Sequence, residues 1–359
     1  MTGGTRPKFR VRPLESGGPV LMPGEFQPRS LARRAAPVLS LLVVIGLVIL
    51  LAPGLGGVRH RLTDARPGWL VLGVALEALS CVSYVLMFRP IFCLRMRWRS
   101  TWEIAWSELA MGSIVPASGA GGLALGAWIL RQGGMPADQI AHRSVAFFLI
   151  KSSVNFVAVA VLGVAMALGL GPELSLWLTA LPASLSVTVI VFVLWLPRLG
   201  PGPEPGPEAG RIRRAVTSVR AALIEGTTGA IEVVRSHDWQ AIAGAIGYWA
   251  FDNAVLWATF HAFGYAPPLT VILMGYLIGQ LGGLLPIPGG IGGIDGGLIG
   301  TLVVFGTPAA TTAAAVLAYR VILFWLPLLV GGVAFASLRK GLNQPDRPDL
   351  CVVPSVDPA

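Results

Sequence analysis

Long apolar runs separated by short polar or basic stretches dominate the chain. A helix needs about 20 predominantly apolar residues to cross about 30 Å of hydrocarbon. Runs near that length occur at residues 37–52, 69–94, 143–169, 174–196, 239–263 and 309–338. Together with two apolar regions that proline and glycine interrupt, these six runs predict an all-α, polytopic helical membrane protein with about seven or eight transmembrane crossings.

Proline and glycine interrupt two of the apolar regions. Residues 284–297 contain two prolines and six glycines, and residues 111–122 carry a proline followed by small residues. A helix cannot continue through such a stretch, because proline removes a backbone donor and glycine adds backbone entropy. Each break is either a re-entrant hairpin or a divided span. Paired breaks in the two halves of a membrane protein indicate a transport site near the middle of the membrane.

The runs, the breaks and a Pro/Gly-rich linker predict five segments along the chain. Arginines next to the first apolar run place the first tail in the cytoplasm by the positive-inside rule, and both termini follow. We expect a multi-pass protein of the cell inner (plasma) membrane. The segments are a disordered basic cytoplasmic tail (1–36), a first membrane half (37–196) broken at 111–130, a cytoplasmic Pro/Gly linker with an amphipathic helix (197–238), a second membrane half (239–340) broken at 284–306, and a disordered tail (341–359).

Composition agrees with a membrane protein and excludes several other classes. The chain is 54% hydrophobic and 13% charged, with a net charge of +9. The basic residues flank apolar spans, so they indicate topology and attraction to anionic lipid, and no nucleic-acid partner is expected. The three cysteines and four histidines show no metal-ligand spacing. We therefore expect no metal site and no cofactor.

Several ionisable side chains fall inside the apolar segments. Lys151, Asp252, Asp295 and Arg320 would be costly in lipid, so each is a candidate functional residue unless it snorkels to the interface. Asp252 has no basic partner on its own helix, so it must find one elsewhere, reach a cavity or be protonated. Arg320 needs a carboxylate or a lipid phosphate, and Asp295 is the nearest acidic candidate. Glu77, close to the outer end of its run, is expected to snorkel.

Two motifs resemble a known family. The residues from Pro286 to Gly292, Pro-Ile-Pro-Gly-Gly-Ile-Gly, resemble the Pro-x-Pro-Gly-Gly-x-Gly pattern of the lysylphosphatidylglycerol synthase transmembrane-region family, whose members are flippase-like integral membrane proteins. Tyr319 and Arg320, followed by Trp-Leu-Pro, resemble a second pattern of that family. The family usually has a Glu after the glycines, where this chain has Asp295. In the first broken segment the family often carries Gly-Glu and then Arg, which this chain lacks.

The resemblance implies a stand-alone membrane region, without the soluble aminoacyl-transferase domain of bifunctional members. Its expected work is to move a phospholipid, an aminoacylated phospholipid or a lipid-linked substrate between leaflets, and its expected partners are membrane lipids with anionic or aminoacylated head groups. No catalytic residue is predicted. A membrane scaffold or regulatory protein and an intramembrane lipid-modifying enzyme stay open as alternatives. Together with the charges inside the spans, the motifs predict a substrate site formed by Arg320, Asp295, Tyr319, Pro288, Gly289, Gly290, Gly292, Pro116, Gly119, Lys151 and Asp252.

Overall fold

The computed structural model describes residue 60 and residues 63–114, 120–169, 176–200, 210–280 and 293–342. Within these ranges the chain is helical and has no strand. The first apolar run, the tail before it, the C-terminal tail from residue 343 and the centres of both broken segments lie outside the described residues.

Helix follows helix through the described part of the chain. Five of the helices correspond to predicted apolar runs, and their ends lie within six residues of the predicted ends. A short 3-10 helix, Leu196–Leu199, follows the fifth helix. The α-helices are α1 (Pro67–Phe92), α2 (Trp98–Ile114), α3 (Ala120–Gln132), α4 (Ala137–Ala167), α5 (Leu176–Trp195), α6 (Arg211–Arg235), α7 (Trp239–Ala262), α8 (Leu269–Gln280), α9 (Gly293–Val304) and α10 (Ala309–Leu342).

Several of these helices are suited to a bilayer. In the part of the chain that the structure describes, four are long and apolar enough to cross a membrane, namely Pro67–Phe92, Ala137–Ala167, Ala180–Leu199 and Ala309–Gly341. Helix α7 has 24 residues and is about 36 Å long at a rise of about 1.5 Å per residue. Asp252 and Asn253 are polar residues near its middle. The predicted polytopic all-α fold is confirmed.

Helices α1 and α7 form the most extensive helix pair. Residue numbers rise along α1 as they fall along α7, so the two helices are antiparallel. At one end of the pair, the backbone N–H of Arg66 donates to the carbonyl of Ala262 at 2.9 Å. The contacts that fix the register are Gly73 with Val255, Ser80 with Tyr248, and Met87 with Gly244.

Each predicted break lies between two helices that fold back on one another. In the second break, Gly275 of α8 packs on Leu302 of α9, and Gly279 packs on Leu298. Each of these helices has 12 residues, about 18 Å, which is too short to cross about 30 Å of hydrocarbon. The second broken segment is therefore flanked by the arms of a re-entrant hairpin. Helices α2 and α3 pack in the same way around the first.

Helix α6 lies on the side of the bundle formed by α4 and α5. Gly226 packs against Val145 of α4, and a carboxylate oxygen of Glu225 lies 2.7 Å from Nδ1 of His142. The first half of α6 exposes an apolar face formed by Val216, Val219 and Leu223. Such a face is typical of a helix that lies in a membrane interface.

Candidate functional site

Asp252 sits at the meeting point of three helices. It lies in the middle of α7 and is only 8% exposed. The hydroxyl of Tyr319 on α10 donates to Oδ1 of Asp252 at 2.9 Å, and the hydroxyl of Tyr276 on α8 donates to Oδ2. A buried carboxyl group costs several kcal/mol unless its oxygens find donors, and here each oxygen has one.

Arg320 and Asp295 form an ion pair next to this network. Nε of Arg320 on α10 donates to Oδ1 of Asp295 on α9, which confirms the pairing that the sequence predicted. Asp295 lies in the first turn of α9, where the helix dipole favours a negative charge. Nη2 of Arg320 is buried and has no hydrogen-bond partner among the described residues. The guanidinium therefore keeps donor capacity that the ion pair does not use.

Glu77 of α1 extends the same group of charges. It is 5% exposed, and the prediction that it snorkels to the interface is wrong. Gly73, Glu77 and Ser80 follow one another at helical spacing on the face of α1 that packs on α7, so α7 covers the carboxyl group. Its Oε1 accepts from the Cys81 thiol at 3.4 Å, whereas its Oε2 has no partner in the described chain.

We call the group formed by Glu77, Asp252, Tyr276, Asp295, Tyr319 and Arg320 the Arg320 cluster. Five helices contribute to it, and Asp252 interacts electrostatically with both Glu77 and Arg320. Two of its three carboxyl groups, those of Asp252 and Asp295, interact electrostatically with the one guanidinium, and the two tyrosine hydroxyls donate to Asp252. The arrangement thus brings both charge signs together inside the helix bundle.

A second polar group surrounds Lys151. Nζ of Lys151 lies 5.9 Å from the ring centre of Tyr84 and 5.8 Å from that of Tyr248, a distance at which a cation is attracted to an aromatic face. The Tyr84 hydroxyl donates to Oε2 of Glu108 at 2.8 Å, and Glu108 interacts electrostatically with Lys151. We call Tyr84, Glu108, Lys151 and Tyr248 the Lys151 cluster.

Sequence reasoning missed Glu108. It follows a basic and aromatic stretch, Arg95 to Trp102, of the kind found at membrane interfaces, where a carboxylate would be solvated. In α2, however, Ile104, Glu108 and Met111 are buried together, and their spacing of four and three residues places them on one helix face. That spacing was the signal that could have identified a buried carboxyl group.

The other missed residues are aromatic. Tyr84, Tyr248 and Tyr276 each reach a buried charge, but a tyrosine inside an apolar run looks like any other core residue. Of the predicted site residues, Arg320, Asp295, Tyr319 and Asp252 lie together in the Arg320 cluster, and Lys151 lies in the other cluster. The remaining predicted residues, Pro288, Gly289, Gly290, Gly292, Pro116 and Gly119, lie outside the described residues, and their role stays a prediction.

Both clusters are suited to binding a charged polar group inside the membrane. A guanidinium or an ammonium can hold a phosphate, and a buried carboxylate can hold an amine. Across the described ranges, no three His, Cys, Asp or Glu side chains are grouped so that they could hold a metal ion.

Comparison with known proteins identifies the family. The family model described as the lysylphosphatidylglycerol synthase TM region matches residues 38–331, which is more than half of the chain. The chain belongs to this family. The match extends from before α1 into α10 and includes every residue of the Arg320 and Lys151 clusters. The protein is therefore a multi-pass membrane protein of the lysylphosphatidylglycerol synthase TM region family.

Curated relatives of the chain come from the archaeon Methanothermobacter thermautotrophicus. One UPF0104 membrane protein is 26% identical over 329 residues, covering 85% of this chain and 97% of the relative. A second is 24% identical over 346 residues, covering 87% and 95%. A third, also a UPF0104 membrane protein, is 30% identical over 125 residues, covering 33% and 37%. The first two relatives are thus similar to this chain along almost their whole length.

Proposed function

We propose that this protein is a flippase-like lipid translocator, which moves a phospholipid, an aminoacylated phospholipid or a lipid-linked substrate between leaflets. In this proposal it works in the inner (plasma) membrane with both termini in the cytoplasm. It carries out no chemical reaction, and the Arg320 cluster binds the head group during transit.

The observation that carries the proposal is the unused donor capacity of Arg320. A guanidinium has five N–H donors in a planar fork that matches two oxygens of a phosphate. Arg320 uses Nε for Asp295, and its buried Nη2 has no partner among the described residues. A buried donor without a partner costs about 1–3 kcal/mol. A phosphate oxygen of a lipid head group would relieve that cost.

The carboxyl groups of the cluster complement an amine on the same head group. Oε2 of Glu77 is buried without a partner in the described chain, and a lipid ammonium could donate to it. A head group carrying both a phosphate and an amine would then be neutralised by Arg320 and Glu77. This charge pattern supports a zwitterionic or aminoacylated lipid as the substrate.

The broken helices supply a path. Helix α9 lies within the predicted break, and its first turn carries Asp295. The N-terminus of a helix presents backbone N–H groups without intrahelical partners, and transporters use such ends at mid-membrane to bind anionic groups. A head group at Arg320 would therefore lie beside backbone donors as well as side chains.

The test is leaflet exchange of fluorescent lipids in proteoliposomes. We would reconstitute the wild type with labelled phosphatidylglycerol, phosphatidylethanolamine or lysyl-phosphatidylglycerol and add an impermeant quencher to measure the protected fraction. The proposal expects faster exchange than in empty liposomes for at least one lipid. It expects Arg320→Gln to slow that exchange about tenfold or more, because a hydrogen bond to a charged group is lost.

Arg339→Gln is the matched control, because Arg339 is an exposed arginine at the end of the same helix. It should leave exchange unchanged. Exchange that persists in correctly folded Arg320→Gln protein would refute the role of the cluster. No exchange of any lipid by the wild type would favour a scaffold, and a chemically altered lipid, seen by mass spectrometry of the same samples, would favour an enzyme.

A further inference from the structure

The two polar clusters share one spacing along the chain. Tyr84 bonds Glu108, 24 residues later, and Asp252 bonds Tyr276, also 24 residues later. Asp252 also accepts a hydrogen bond from Tyr319, 67 residues later. Lys151 lies over the ring of Tyr84 and is likewise 67 residues after Tyr84. Adding 168 to 84, 108 and 151 therefore gives 252, 276 and 319. These three residues of one cluster thus occupy, in the first part of the chain, the same relative positions that the three residues of the other cluster occupy in the second part.

The helices of these segments follow the same plan. Each segment has a long helix, a two-arm hairpin around a Gly/Pro break and a second long helix, as α1 to α4 and as α7 to α10. The helices of the second segment begin three to five residues later than an offset of 168 would place them. Gly-x-Pro turns lead into both α4 and α10, and their glycines, Gly134 and Gly306, have φ angles of 87° and 90°.

The packing of the helices repeats as well. Within each segment the first helix contacts the second and fourth, the hairpin arms contact each other, and the second arm contacts the fourth helix. Between the segments, α1 contacts α10 as α7 contacts α4, and α2 contacts α10 as α8 contacts α4. Each helix contact therefore has an equivalent contact when the first segment is exchanged for the second. This is the property of two repeats that are related by a two-fold axis.

The repeats run in opposite directions through the bundle. Helices α1 and α7 are antiparallel, and they meet where the Ser80 hydroxyl donates to the carbonyl of Tyr248 at 3.1 Å, a pair that is itself 168 residues apart. Tyr84 lies one turn beyond Ser80, and Asp252 lies one turn beyond Tyr248. Because the helices are antiparallel, these turns extend to opposite sides of the crossing. The two clusters are thus about 12 Å apart along the helix axes.

We propose that the two halves are inverted structural repeats and that the Lys151 cluster is a second head-group site, which binds a lipid phosphate on the opposite side of the bundle's centre from the Arg320 cluster. The proposal rests on the function proposed above and deepens it. A head group that crosses the membrane would meet one cluster from each leaflet and pass from one to the other.

The chemistry of Lys151 suits a phosphate. An ammonium has three N–H donors, and Lys151 makes no hydrogen bond with the residues that the structure describes. The faces of the two tyrosine rings attract the cation while leaving those donors available. A lipid phosphate would accept from Nζ, and the Tyr248 hydroxyl would be a further donor, since the Tyr84 hydroxyl already donates to Glu108.

The experiment counts the head groups that the full-length protein binds. Purified protein would be titrated with short-chain phosphatidylglycerol, and saturable binding would be followed by native mass spectrometry. The wild type should bind two molecules. Lys151→Met and Arg320→Met should each retain one and weaken the other about tenfold or more, and the double variant should bind none. Lys151→Arg keeps the charge and should retain both.

Lys340→Met is the matched control, because Lys340 is exposed at the end of α10, and it should bind two molecules. A single site in the wild type, no saturable binding, or two sites in folded Lys151→Met protein would overturn the inference. Leaflet exchange is measured separately, so the two proposals can fail independently. Two bound molecules without leaflet exchange would refute translocation and support the second site. Leaflet exchange with a single bound molecule would support translocation and refute the second site.

Discussion

Asp252 shows how a carboxyl group can be held in a bundle that would otherwise exclude it. Tyrosine hydroxyls from two other helices donate to its two oxygens, so the residue is satisfied without direct contact with a cation. The same tyrosines tie α8 and α10 to α7. The network is therefore a structural joint between three helices as well as a candidate part of the substrate site.

Removing one tyrosine hydroxyl should measure this joint. Tyr319→Phe leaves an oxygen of Asp252 without its donor, so we expect the free energy of unfolding to fall by about 1 kcal/mol, within the range of about 0.6–1.7 kcal/mol for hydrogen bonds between membrane helices. The measurement is unfolding in SDS of protein in mixed micelles. Tyr265→Phe, at a partly buried tyrosine outside the network, should change little. If both substitutions changed the free energy of unfolding by the same amount, the Tyr319 hydroxyl would have no specific stabilising role.

At the scale of helices, close contacts between backbones hold the bundle together. Gly331 of α10 lies so close to α2 that a Cβ built there would be 2.1 Å from the carbonyl oxygen of Trp106. The neighbouring Gly332 has no heavy atom within 4 Å of the same position. Adjacent glycines in one helix thus have opposite roles, and small residues at helix contacts are what membrane bundles require.

The two glycines provide a matched pair of substitutions. Gly331→Ala should separate α10 from α2 and lower stability by about 1–3 kcal/mol, the usual cost of overpacking. Gly332→Ala should be neutral or stabilising by up to about 1 kcal/mol, because alanine favours a helix over glycine. Unfolding of both variants in SDS gives the comparison, and a Gly331→Ala protein as stable as Gly332→Ala would contradict the close contact.

The sequence predicted the long helices because their apolar runs are close to the length that a membrane span requires. It predicted the breaks from proline and glycine, and the Arg320–Asp295 pair from the need of a buried cation for a counterion. It could not predict which glycines touch another helix, since that depends on the register of one helix against the next. The buried state of Glu77 depends in the same way on how α1 packs against α7, whereas for Glu108 the sequence carried a signal in the spacing of the buried residues of α2.

The repeat was hidden from the sequence for a related reason. The three related positions carry Tyr84, Glu108 and Lys151 in the first half, but Asp252, Tyr276 and Tyr319 in the second. The carboxyl group and its tyrosine donor have exchanged helices, so a residue-by-residue comparison finds no identity there. What the halves share is a contact between a carboxyl group and a hydroxyl at one place in the packing, and this becomes visible when the helices are assembled.

Inverted halves in one membrane make a prediction about which ends of the helices face each compartment. The start of α1 meets the end of α7 at Arg66 and Ala262, and α7 is about 36 Å long, so Asp64 and Ser236 should lie on opposite sides of the bilayer. With both termini in the cytoplasm, as we propose, Ser236→Cys should react with an impermeant maleimide only after the cells are permeabilised. Asp64→Cys should react in intact cells.

Both positions are exposed, and the native cysteines would first be replaced by alanine. Labelling of both positions from the same side would contradict a transmembrane α7, and an exchange of the two results would reverse the orientation while preserving the inverted architecture.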